Sequence, residues 1–122
     1  MIGIDLVSCE RITKLKSKLG TRFLRRFLTK REIKLAKNDA TIAGFWALKE
    51  ASAKALGCGI CAQCGFKDIR IYKTKLGAPY IKLSKRALKE YKKRTNKALK
   101  KRAYASLSHD GGMAIAIVKL SK

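Results

Sequence analysis

Thr41-Ile-Ala-Gly-Phe-Trp-Ala-Leu-Lys-Glu-Ala-Ser-Ala-Lys-Ala-Leu-Gly57 is the stretch whose reading decides the fold. It is rich in Ala and Leu, residues that give up little conformational freedom in a helix, and it closes on a glycine able to cap one. The pattern predicts a helix from about Thr41 to Leu56, the longest in the chain. Glu50 and Lys54 stand four residues apart on it and share a face. Phe45 and Trp46 add aromatic bulk, and the surroundings of Glu50 read as packed rather than solvated.

Working upstream, Thr29 and Glu32 have the spacing of a capping box and start a short helix. Phe23, Leu24, Phe27 and Leu28 form an apolar stripe between Arg22, Arg25 and Arg26. Ile12, Leu15 and Leu19 repeat at helical spacing from an N-cap at Ser8 to a stop at Gly20. Met1 to Val7 reads as a strand with Asp5 as its one carboxylate. Downstream of a Cys and Gly loop, Asp68 to Tyr72 and Pro79 to Leu83 form a hairpin, with the only proline where a missing N–H costs least. A Lys-rich helix is predicted from Ser84 to about Lys101. Two apolar strands, Ala103 to Leu107 and Met113 to Leu120, then flank a turn holding Ser108, His109, Asp110, Gly111 and Gly112. The order is α+β, one domain without repeats or linkers.

The chain has 122 residues, with 30 Lys and Arg against 8 Asp and Glu, a formal net charge of +22. Such a field calls for an acidic partner; nucleic acid, an acidic protein and a phosphate-rich cofactor all satisfy it. Met1 to Val7 lacks the basic leader of a secretion signal, and no stretch approaches a membrane span. Cys9, Cys58, Cys61 and Cys64 are expected to be reduced thiols in the cytosol.

An ionised carboxylate inside an apolar strand costs several kcal/mol unless paired, so Asp5 needs a cation or a helix to cap. Glu50 takes either a metal or an ion pair with Lys49 or Lys54. Magnesium uses one or two protein carboxylates and completes its shell with water and phosphate, so Asp5 and Glu50 suffice for a phosphoryl-transfer site, with Lys49 and Lys54 as donors to phosphate. Ser108, His109 and Asp110 are not a hydrolase triad, because a triad needs converging side chains rather than neighbours in sequence. Cys58, Cys61 and Cys64 are spaced C-x2-C-x2-C; a zinc or iron–sulfur site would need Cys9 or His109 as a fourth ligand, and three free thiols in a loop is the simpler reading.

Gly3-Ile-Asp-Leu-Val7 with Glu10 and Arg11, Arg22-Phe23 to Arg26 with Leu28-Thr29 and Glu32, Trp46 to Gly57, Gly77-Ala-Pro79 and Ser106-Leu-Ser-His109 together resemble the holo-acyl-carrier-protein synthase family of 4'-phosphopantetheinyl transferases. The resemblance implies antiparallel strands packed against a long helix and a homotrimer with active sites between subunits. It implies transfer of the 4'-phosphopantetheine arm of coenzyme A to a serine of an acidic acyl carrier protein, releasing 3',5'-adenosine bisphosphate, with Mg2+. Asp5 and Glu50 are then the magnesium carboxylates and Lys54 a contact to the phosphates. Gly57, Gly59, Gly77, Pro79, Ser108 and His109 help hold coenzyme A, and Arg11, Arg22, Phe23 and Arg26 meet the carrier. The general base stays open among a metal-bound water, Glu50 and His109. Two positions depart from the family: Phe45 stands where an arginine is frequent, so a coenzyme A contact is lost or replaced, and Cys58 stands for the hydroxyl of a Gly-Thr-Gly-Ile loop. A nucleic-acid-binding module explains the charge but leaves Asp5 and Glu50 without a task.

Overall fold

A computed structural model describes residues 1–122. The chain runs β1 (Ile2–Ser8), α1 (Cys9–Leu19), α2 (Thr21–Phe27), α3 (Lys30–Leu35), α4 (Asp39–Ala55), β2 (Ile69–Lys73), β3 (Pro79–Leu83), α5 (Lys85–Thr95), β4 (Arg102–Asp110) and β5 (Met113–Lys119). The strands make one antiparallel sheet ordered β1-β5-β4-β3-β2. Helix α4 lies across its inner face, and the short helices cover the far side of α4.

Small side chains let α4 come unusually close to β1. A methyl group built on Gly3 would sit 1.8 Å from the Ala51 carbonyl oxygen and 2.6 Å from the Ala55 nitrogen, so only hydrogen fits there. The opposite side of α4 packs into an aromatic cluster, in which Trp46 lies 5.1 Å from Phe27, 5.2 Å from Phe66 and 6.0 Å from Phe23, centroid to centroid. Beneath it, the fully buried Glu32 and Lys49 pair at 2.8 Å. Lys49 also donates to the Phe66 carbonyl at 3.0 Å, and Glu32 accepts from the Thr29 and Ile71 amides at 2.8 and 2.7 Å. Every polar atom of the pair has a partner, which is what a buried ion pair requires.

Three sequence expectations change. The long helix begins at Asp39, with the Asn38 side chain accepting from the Thr41 amide at 2.8 Å, two residues ahead of the predicted start. Helix α5 ends at Thr95 rather than near Lys101, because Asn96 takes the left-handed conformation (φ 57°) and its amide caps Lys92. The predicted turn around His109 is strand: β4 pairs with β5 through Asp110, and only Gly111 and Gly112, at φ 57° and 75°, make the bend.

The outer face of the sheet is apolar where β1, β5 and β4 meet. Ile4 pairs with Ile117 and Leu6 with Ile115, and these four residues with Ile2 and Tyr104 are between 40% and 66% exposed. In β5 the alanines face the core while the isoleucines face out, an inversion that leaves a contiguous apolar patch uncovered.

Candidate active site

β1 alternates Gly3, Asp5 and Val7 toward α4, so the strand that needs glycine for close approach presents Asp5 to the same helix. One turn apart on that helix stand Glu50 and Lys54. Lys54 Nζ donates to Asp5 Oδ1 at 2.9 Å and to the Ile4 carbonyl at 3.1 Å. The Asp5 side chain is 14% exposed, whereas Lys54 is half in solvent. Asp5 therefore does not cap α1; Ser8 does, accepting from the Arg11 amide at 3.3 Å. Glu50 takes part in no ion pair. Burial, and next the charge of Asp5, push its carboxyl above the usual range, while Lys54 and Arg11 pull the other way.

Two hard carboxylates crowd one spot with a single lysine between strand and helix, and no third His, Cys, Asp or Glu joins them. Magnesium is suited to this donor set, since it keeps positions for water and phosphate, and a cation there would remove the cost that raises Glu50. Cys58, Cys61 and Cys64 are free thiols.

Lys49 is corrected. It is sealed in the pair with Glu32 and offers nothing to a phosphate, and burial pulls its proton affinity down against the opposing pull of Glu32. Its signal was in the helix period, which aligns Lys49 with Phe45, Ser52 and Ala53, all buried.

A second group of predicted residues lines a cleft of about 190 Å3: Gly77, Pro79 and His109, joined by Thr41, Phe45 and Lys73. His109 Nε2 donates to the Ala40 carbonyl at 2.7 Å, which places the proton on Nε2. Gly44 makes room for that ring; a methyl group there would lie 2.6 Å from Leu107 Cδ2 and 3.2 Å from His109 Cε1. The hairpin turn is closed by Thr74, whose carbonyl accepts from Gly77 at 2.9 Å and whose amide donates to Ala78 at 2.8 Å, with Gly77 at φ 88°. Lys73 Nζ lies 5.7 Å from the centre of the Phe45 ring. Sequence reading missed Lys73, Thr41 and Gly44; the position of Lys73 at the end of β2, beside the Gly77 turn, was the available hint.

The two groups stay apart within one chain. Gly44, under His109, precedes Glu50 by about 9 Å along the helix axis. Ser108 leaves the His109 group altogether, because adjacent strand residues face opposite ways and Ser108 lies with Ile4, Ser106, Ile115 and Ile117 on the outer face. Gly57 and Gly59 follow Lys54 at the end of α4 with φ of 78° and 63° and open space around them.

Of the residues expected to meet a carrier, Arg22 and Arg26 are exposed one turn apart on α2. Arg11 lines an open groove of about 430 Å3 with Lys14 and Lys18 on α1. Phe23 is corrected: it is 4% exposed, its ring 5.1 Å from Phe27 in the aromatic cluster, and it supports α2 from within.

The chain belongs to the 4'-phosphopantetheinyl transferase superfamily, which it matches over residues 1–118. It is 48% identical over 118 residues to the holo-acyl-carrier-protein synthase of Campylobacter fetus subsp. fetus, covering 97% of this chain and 96% of that one. It is 52% identical over 122 residues to the holo-acyl-carrier-protein synthase of Wolinella succinogenes, covering 100% and 98%. The crystal structure of Helicobacter pylori holo-acyl-carrier-protein synthase in complex with coenzyme A superimposes with a TM-score of 0.89 at 44% identity, covering 99% of this chain and 100% of that one.

Proposed function

We propose that this chain is a holo-acyl-carrier-protein synthase, moving the 4'-phosphopantetheine arm of coenzyme A to a serine of apo-acyl carrier protein for fatty acid biosynthesis. The observation that carries the reading is the Asp5, Glu50 and Lys54 arrangement in a chain that matches such synthases over its full length. Asp5 and Glu50 would hold magnesium, which when bound supplies positive charge to the pyrophosphate. Lys54, half exposed and already turned toward Asp5, is poised to swing its ammonium to the phosphate oxygens and stabilise charge that develops there. Departure of 3',5'-adenosine bisphosphate leaves the arm on the serine through a phosphodiester. The cleft of His109, Gly77 and Pro79 receives another part of coenzyme A. Lys73 over Phe45 brings to this cleft a cation that the family frequently has at position 45 itself. The four free cysteines suit the reducing cytoplasm, and no helix is long and apolar enough to cross a membrane.

Incubation with apo-carrier protein, coenzyme A and magnesium, with the carrier weighed by mass spectrometry, tests the whole reading. The expected product is carrier heavier by one phosphopantetheine arm. An unmodified carrier, across several carriers, together with a sequence-specific nucleic-acid complex would replace this function with the nucleic-acid one.

The apolar outer face supports assembly as a homotrimer, with the cleft of one copy brought against the carboxylates of the next. Leu6→Asp and Ile117→Asp place a charge in the middle of that face, and each is expected to yield monomers by sedimentation and to lose activity. An active monomer would put both halves of the site in one chain.

Arg22→Ala and Arg26→Ala are expected to raise KM for the carrier at least about tenfold, the cost of weakening charge pairing across an interface, and to leave KM for coenzyme A unchanged. Equal losses for both substrates would move these arginines into the cofactor site.

A further inference from the structure

The one motif without a task is Cys58, Cys61 and Cys64. The loop that holds them is clamped: Cys61 and Cys64 exchange backbone hydrogen bonds at 3.0 and 3.2 Å, and Arg86 donates to the Ala62 carbonyl at 2.9 Å. A reciprocally bonded antiparallel pair keeps its Cα atoms about 5.5 Å apart, so both side chains leave the loop within reach of one another. Cys58 and Cys64 line one small cavity together with Arg94. Arg94, held by Glu90 at 2.8 Å, brings its guanidinium to 4.0 Å from Cys61 Sγ. Cys64 is buried, whereas Cys58 and Cys61 are partly open to solvent.

We propose that this cluster is a thiol–disulfide exchange site for low-molecular-weight disulfides, with Cys61 as the attacking thiol and Cys58 as the resolving one. The environments sort the three thiols into these roles. Desolvation opposes ionisation of Cys61, but hydrogen bonds from the Cys64 and Gln63 backbone and from Arg94 outweigh it and pull the thiol below its usual range. Burial pushes Cys64 up to about 12 and so keeps it a thiol. Burial, and next the charge of Cys61, raise Cys58, which therefore waits for a mixed disulfide rather than initiating one.

The Cys61 thiolate attacks one sulfur of the small disulfide, whose S–S bond breaks and releases one thiolate that takes a proton from water. Cys58 gives its proton to solvent and attacks Cys61 Sγ, expelling the second small thiol. Two cysteines are oxidised by two electrons, and one small disulfide is reduced to two thiols.

The test uses the full chain and glutathione disulfide, with peptide mapping by mass. Wild type is expected to lose two hydrogens in a Cys58–Cys61 crosslink, at least about tenfold faster than Cys9 acquires glutathione. Cys58→Ser should stop at a stable glutathione adduct on Cys61, and Cys61→Ser should give neither product at that rate. Adducts spread evenly over Cys9 and the loop, or a Cys58→Ser protein that still forms an intramolecular disulfide as fast as wild type, would overturn the assignment. Circular dichroism of each variant separates a lost reaction from a lost fold.

Discussion

Glu50→Gln is expected to lower transfer at least about a thousandfold while raising the thermal stability of the isolated protein at neutral pH. The loss follows from removing one of the two carboxylates proposed to hold magnesium, since metal charge stabilisation is worth several kcal/mol and each 1.36 kcal/mol is tenfold in rate. The gain follows from the proton affinity of Glu50, raised in the folded chain by burial first and by Asp5 second. Over the pH interval above the ordinary carboxylate range the native state binds more protons than the unfolded one, so stability falls as pH rises through it. Glutamine carries no charge at any pH, and its advantage should vanish once wild-type Glu50 is protonated in both states. Thermal melts from acid to neutral pH check this, with and without magnesium chloride. Wild type should gain stability from the cation and the variant should not. A variant less stable than wild type at neutral pH without metal would show that Glu50 has a partner in the folded chain, and near-normal turnover would remove it from the site.

Lys49→Ala is expected to destabilise the fold by about 3–5 kcal/mol, the cost of leaving a buried charge without its partner. Glu32 would keep its bonds from the Thr29 and Ile71 amides but lose the cation. Against a total of about 5–15 kcal/mol for a native domain, that is a large share, and the helix bearing Glu50 would loosen with it. Urea denaturation measures it, with Lys89→Ala, an exposed lysine, expected to stay within about 0.5 kcal/mol of wild type. A Lys49→Ala loss below about 1 kcal/mol would mean that the pair is not load-sharing with the core.

What the sequence made legible was local. Ser8, Gly20, Thr29 and Gly57 mark element ends through their own backbone chemistry, and each stands at or beside the end it was expected to mark. Asn96 stops α5 by a left-handed cap that asparagine permits but does not dictate, so the run of lysines beyond it read as helix. Asp5 and Glu50 were visible as acids in apolar elements, a local mismatch. Phe23 stood out only within an apolar stripe and Lys49 only through the helix period, because the groups that seal them, Trp46, Phe66 and Glu32, arrive from elsewhere in the chain. The period-2 rule alone separates Ser108 from His109 once both belong to a strand; the glycine pair after Asp110 concealed how far that strand extends.

The contact at Gly3 bears on how this catalyst can be damaged. Strand and helix meet there with no side chain between them, and Asp5 stands two residues further along the same strand. Gly3 works as a spacer of minimum thickness, and the gap between the two carboxylate-bearing elements is gauged by it. An added methyl group would act like a shim, lifting the Asp5 carboxylate away from Glu50 and Lys54 while all three of those residues kept their identity. The tolerance of the site is thus machined at a residue with no functional group of its own.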